Sequence, residues 1–342
     1  MRQLSSLQTK YGDIYDCVDF YDHKFYPEMR PNFIPNITST TRNNLETSKL
    51  YVFENGGCPS GTVPIRRLSE EDWSRAAYFS KIKTNGVRNS TNEQLGPPGT
   101  HNSKYAIVQT KSGPNPLNYY GVGAYLSVWN PQVKENQYSA SQITIQNGPD
   151  SLQVGWMVNP TMYKEGRTHM FIHTNTGGIH CYNTYCPGFV IVRSDLPPDV
   201  VIRGYTERGK IAKLVNFFIY RETISGNWWL LATENNIPIG FWPNNIFTML
   251  NKYGTYISCG GETYSPLDQP SGFPPMGSGA YPVNILEQDA FATNFETADD
   301  KLKVINVDGT EKFMDTKKYI VHDLGIIQGS FGHVLFFGGY GG

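Results

Sequence analysis

Two short segments hold the side chains best suited to chemistry, LQVGWMVNP around Gln153 and SCGGETYSP around Glu262. Glu262 offers a carboxylate that can take a proton from water. Gln153 offers an amide whose nitrogen donates a hydrogen bond in every protonation state. Hydrolysis of an amide without a metal or a covalent nucleophile needs both, a base for the water and a donor for the developing oxyanion. Candidates to line a groove around the pair are Trp156, Gly260, Gly261, Tyr264, Trp228 and Trp242. The two glycines would let backbone approach a ligand closely, and aromatic faces can stack on a flat ligand group.

Other constellations carry less. His169 and His173 are four apart, but HMFIH reads as a strand, which puts the two on one face about 13 Å apart, too far for one metal. Asp13, Asp16 and Asp19 lack the glycine and terminal glutamate of a calcium loop and read as a solvated segment. The MGSGAY stretch is a turn rather than a nucleophile elbow. No metal and no other cofactor is expected. Cys181 and Cys186, five apart in HCYNTYCPG, suit a small disulfide loop. Cys17, Cys58 and Cys259 are an odd remainder, so at least one thiol stays unpaired or two join across domains. Asn36 and Asn89 open acceptor sequons for N-glycosylation.

The elements that must position these residues are strands. With 34 Gly and 22 Pro punctuating runs rich in Val, Ile, Tyr, Phe and Trp, the pattern is of many short strands joined by turns. An all-β, antiparallel β-sandwich is the expected architecture, preceded by a smaller irregular α+β region. In LQVGWMV, Leu152, Val154, Trp156 and Val158 share one face. If Val154 and Trp156 turn to the inter-sheet core, Gln153 points to the outer concave face. Helix is expected only in EEDWSRAAYF before position 80 and in NNIFTMLNKY near 248, the latter starting at Pro243 and Asn244. Polar, Pro- and Gly-rich residues 91–104 mark a boundary, giving units of 1–94 and 100–342. Charge is nearly balanced, 29 basic against 30 acidic residues without long runs of either sign, which argues against nucleic acid as a partner. No apolar run approaches the roughly 18 residues of a membrane span, so a membrane is not expected either.

The same segments resemble the neprosin family of plant proteins over nearly the whole chain. KYGDIYDCVDFY and NGGCPSGTVPIRR are similar to its activation region. YYGVGAYLSVWNP, YSASQITI, LQVGWMVNP, CYNTYCPGFV, SGNWWLL, IGFWP, CGGETYS, MGSGAYP and GHVLFFGGYGG are similar to its peptidase domain. The resemblance implies a secreted glutamic endopeptidase without a metal that cleaves after proline and is made as a zymogen. Its two catalytic glutamates fall at Gln153 and Glu262, of which only the second is a glutamate here. A second, distantly similar group, the fungal eqolisins, pairs a glutamine with a glutamate on a β-sandwich, so the amide is compatible in kind. The expectation is therefore a precursor in which residues 1–94 act as the chain's own inhibitor. Glu262 activates water, Gln153 donates to the oxyanion, and the substrate is a proline-containing peptide or protein. The alternative is a catalytically silent secreted relative that binds peptide or cell-wall ligands. MRQLSSLQTKYGD lacks the apolar centre of a secretory signal, so the activation region is expected to be N-terminally incomplete, and an extracellular location rests on the resemblance.

Overall fold

Period-two patterning makes sheets whose two faces differ, and here it produces two large antiparallel sheets stacked on one apolar layer. The computed structural model describes residues 3–19, 45–50, 53, 56–85, 102–111, 113, 117–232, 235–266 and 272–342. A small N-terminal sheet comprises β1 (Gln3–Gln8), β2 (Ile14–Asp19) and β3 (Thr62–Arg66), and helix α1 (Glu70–Asn85) follows it. Seven strands form the sheet that carries both candidate residues: β4 (Ser103–Thr110), β5 (Tyr138–Asn147), β6 (Asp150–Val158), β7 (Thr168–Thr176), β8 (Ile179–Tyr182), β9 (Tyr256–Tyr264) and β10 (Thr310–Met314). Their spatial order is β8-β7-β6-β5-β9-β4-β10. A short helix, α2 (Pro160–Tyr163), follows β6, capped by the Asn159 side chain accepting from the Met162 N–H. A ten-stranded sheet containing Gly121–Ser127, Lys213–Arg221, Trp228–Ala232 and Ala290–Ala298 faces the seven. No described helix is long and apolar enough to cross a membrane.

The layer between the sheets takes Ile143, Leu152, Val154 and Trp156 from one side and Phe217, Ile219, Leu230 and Trp242 from the other. Three groove candidates are corrected by this packing. Trp156, Trp228 and Trp242 are fully buried in that layer, and each indole N–H is already used: by the Ser127 carbonyl at 2.9 Å, the Leu250 carbonyl at 2.9 Å and the Thr174 hydroxyl at 2.7 Å. Gly261 also faces inward, where a Cβ would meet Met276 and Phe337. The second expected helix is likewise absent, since only Asn244–Ile246 make a 3₁₀ turn. The reason lies on β6. The buried Asp150 carboxylate accepts from the N–H groups of Thr248, Met249 and Leu250, which an α-helix would have spent on its own carbonyls.

The N-terminal region is tied into the sandwich rather than set apart from it. Glu46–Thr47 pair in parallel with Lys213 and Leu214, and Lys49–Leu50 pair with Ile202–Arg203. Helix α1 begins with a reciprocal cap, Ser69 Oγ accepting from Asp72 N–H while Asp72 Oδ2 accepts from Ser69 N–H. Cys181 pairs with Cys186, Cys17 pairs with Cys58 across β2 and the turn before β3, and Cys259 is a buried free thiol. Asp13 and Asp16 are ion-paired with Arg66 and Arg67 instead of merely solvated. Asn36, Asn89 and most of the 91–104 boundary lie outside the described residues.

One buried pair sets a pH dependence for the sandwich. Both His333 ring nitrogens face acceptors, Nδ1 the Val307 carbonyl at 2.6 Å and Nε2 the Asp323 carboxylate at 2.9 Å, so the imidazolium fits the site. Burial lowers the His333 pKa, but the Asp323 and Val307 hydrogen bonds outweigh it and the net shift is upward. For Asp323, burial is outweighed by hydrogen bonds from His333, Thr310 and the Gly325 N–H, which hold its pKa down at about 2. The contribution of His333 is complete below its unfolded value near ~6.5 and lost as pH rises through the folded value; that of Asp323 is lost only as pH falls through about 2. Urea unfolding should therefore show stability falling as pH rises from 6 toward 8, with a shallower slope in His333→Phe. A parent and variant with parallel profiles would refute the assignment.

Candidate active site

Register places the candidate residues on one face. Glu262 on β9 lies opposite Ala140 on β5, Gln153 on β6 lies opposite Thr144 on β5, and Gln142 falls between, opposite Gly260 on β9 and Gly155 on β6. All share the parity that turns away from the inter-sheet layer. Glu262 and Gln153 are thus two strands apart and four residues, about 13 Å, apart along the strands. Gln142 is the diagonal neighbour of both.

The row between them is nearly bare. Gly155 and Gly260 flank Gln142 and contribute no side chain. A Cβ at Gly155 would lie 1.9 Å from the Ser141 carbonyl oxygen. One at Gly260, which sits at φ +143°, would lie 2.5 Å from that of Ala106. Backbone packing therefore demands both glycines, and the result is a floor from which Gln142 rises alone. Gly260 keeps its place in the candidate groove while Gly261 does not.

Glu262 is surrounded by donors. Its Oε1 accepts from Tyr138 Oη at 2.5 Å and Ser103 Oγ at 3.0 Å, and its Oε2 accepts from Gln142 Nε2 at 2.8 Å. Tyr105 also hydrogen-bonds to Glu262, and Tyr182 to Tyr138. Burial, followed by the Glu262 charge, pushes the phenols of Tyr105, Tyr138 and Tyr182 well above the usual range, so they remain protonated donors. Tyr264 stacks on Tyr138 with centroids 5.4 Å apart, which gives the groove an aromatic wall beside the carboxylate. On the opposite bank, Gln153 Nε2 is buried and has no hydrogen-bond partner among the described residues. Its register neighbour on β7 is His173, whose Nε2 is 3.3 Å from His180 Nδ1. His169 is engaged elsewhere, with Glu165 at 3.0 Å and the Asp199 carbonyl at 2.9 Å. Among the described residues no three His, Cys, Asp or Glu side chains cluster as a metal site.

This face is closed. Glu262, Gln153 and Gln142 are 1%, 1% and 4% exposed. The outer-face cluster of Tyr138, Ala140, Met157, Phe171 and Tyr264 is packed by Leu68 and Ala76 from the N-terminal region. Helix α1 lies against β8 and α2, and Lys164 pairs with Asp72 at 2.9 Å. Next to it, Asp199 accepts from Tyr15 Oη at 2.9 Å, and Arg66 bridges Asp199 at 3.6 Å and Asp13 at 2.6 Å. The Cys58 N–H adds a bond to the Ser194 carbonyl.

The family model for neprosin matches residues 135–340, and that for the neprosin activation peptide matches residues 6–109, a span that runs into β4. Among solved structures, the chain is similar to Scytalido-glutamic peptidase, crystallised with a peptide-based transition-state analogue. That likeness has 9% identity, covers 70% of this chain and 98% of that one, and has a TM-score of 0.36. A β-porphyranase from the human gut bacterium Bacteroides plebeius is similar at 9% identity over 54% of this chain and 74% of that one, with a TM-score of 0.22.

Proposed function

The chain belongs to the neprosin family, and on that premise we propose that it is the precursor of a glutamic endopeptidase that hydrolyses peptide bonds, with cleavage after proline. The observation that carries this reading is Glu262, a buried carboxylate facing Gln153 across a floor of glycine, beneath a cover supplied by the N-terminal region. Removal of that cover opens the groove. Glu262 then takes a proton from water, whose oxygen attacks the scissile carbonyl carbon. The carbonyl oxygen becomes an oxyanion held by amide N–H groups, with Gln153 in the place of the family's other glutamate. When the C–N bond breaks, the proton on Glu262 passes to the leaving amine, and the products are a carboxylic acid and an amine. The aromatic wall of Tyr138 and Tyr264 offers a flat face to a proline ring. The disulfides Cys17–Cys58 and Cys181–Cys186 support an oxidising, extracellular setting.

A pair of carboxyls works through a shared-proton state populated only in acid, whereas a carboxylate and an amide need no such state. Turnover of a proline-containing peptide should therefore persist toward neutral pH in the parent. In Gln153→Glu it should rise about tenfold or more in acid and collapse toward neutrality, since like charges then face each other. A parent confined to strong acid would refute the donor role of Gln153. Turnover seen only in Gln153→Glu would identify a disabled enzyme and favour the silent relative.

A further inference from the structure

We propose that Gln142 is a catalytic residue and the principal oxyanion donor of this site, an inference that rests on the peptidase reading above. A base and an oxyanion donor acting on one carbonyl must each come within about 3 Å of the same small group of atoms. Gln142 already meets that condition, its Nε2 lying 2.8 Å from Glu262 Oε2. Gln153 stands one diagonal step farther from Glu262, on β6. An amide nitrogen carries two N–H groups, so Gln142 can hold the carboxylate with one and present the other to a ligand.

The surroundings favour a ligand there. In the row of Gln142, register places Gly155 and Gly260 on either side and the first side chains beyond them are Phe171 and Ile107. A peptide crossing the strands along this row would pass between the banks of Glu262 and Gln153 with its scissile carbonyl over Gln142. The unpartnered Gln153 Nε2 then serves as a second, lesser donor from the far bank.

The test compares Gln142→Met, Gln153→Met and the parent, each made as the full-length protein and assayed after limited proteolysis has released the N-terminal cover. Two probes are used: a proline-containing peptide, and the same peptide with the scissile carbonyl replaced by a tetrahedral hydroxymethylene. Gln142→Met should lower kcat about a hundredfold to a thousandfold with KM within about threefold, the signature of a donor used in the transition state. It should also lose the preference for the hydroxymethylene peptide while binding the amide peptide as the parent does. Gln153→Met should lose less than Gln142→Met. Where Gln142→Met fails to fold, Gln142→Ala makes the same comparison. Unchanged kcat in a folded Gln142 variant of a parent that turns the peptide over would overturn this inference alone. So would a change confined to KM, or a larger loss in Gln153→Met. A parent that binds neither probe would overturn the peptidase reading and the inference with it.

Discussion

Glu262→Gln is expected to abolish peptide turnover, lowering kcat by about 10³–10⁴-fold while leaving KM within a few-fold. The substitution keeps the shape of the side chain and removes only its capacity to accept a proton. Among the described residues no other carboxylate lies on the floor between β6 and β9, and the neighbours of Glu262 there are donors. Tyr138, Ser103 and Gln142 all point hydrogens at it. In the variant, one amide N–H must face one of those donors, which should cost about 1–3 kcal/mol of stability, so folding has to be verified alongside rate. Steady-state kinetics on a proline-containing peptide, with parallel denaturant titration, separates the two effects. A folded variant that keeps more than a tenth of parental kcat would show that water is activated elsewhere.

How much of this was readable from residue types follows their range of interaction. Parity in LQVGWMV is local, and it correctly set Gln153 on the face opposite Val154 and Trp156. The same rule told against Trp156 as a groove residue, and nothing local distinguished Trp228 and Trp242 from exposed aromatics until the facing sheet covered them. Cys181 and Cys186 are five apart and could be paired from spacing, whereas Cys17 and Cys58, separated by 41 residues, are joined by the register of β2 and β3. Gln142 was overlooked for the same reason. YSASQITI shows that it shares a face with Ala140 and Thr144, but its place between Glu262 and Gln153 depends on the pairing of β5 with both neighbours. The helix expected in NNIFTMLNKY failed because the competing acceptor, Asp150, lies about a hundred residues earlier in the chain.

Closure of the groove has its own electrostatics, and they run against a simple picture in which acid dissolves the cover. Burial raises the Asp199 pKa to about 6, while Arg66 and the Tyr15 hydroxyl oppose the rise, Asp13 adds to it and His169 opposes it. A carboxyl whose folded value lies above its unfolded one contributes stability that is complete below the unfolded value, near ~3.9, and lost as pH rises through the folded value. From pH 4 to 7 this contribution falls by roughly 2 kcal/mol, so acidification tightens the Asp199 contact and release in acid must act through other groups. Arg66→Met makes the point measurable. Without the guanidinium, Asp199 at neutral pH is a buried charge that has lost its ion-pair partner and that Asp13 repels, and the precursor should lose about 3–5 kcal/mol at pH 7.5. At pH 4.5 Asp199 holds a proton, and most of that loss should disappear. Arg66→Met combined with Asp199→Asn should recover most of the neutral-pH stability, because no unpaired charge remains on Asp199's side of the contact. Urea unfolding of the precursor at the two pH values tests this directly. An equal loss at pH 4.5 and pH 7.5, or a loss below about 1 kcal/mol at pH 7.5, would mean that the Arg66–Asp199 contact does not hold the N-terminal region in place.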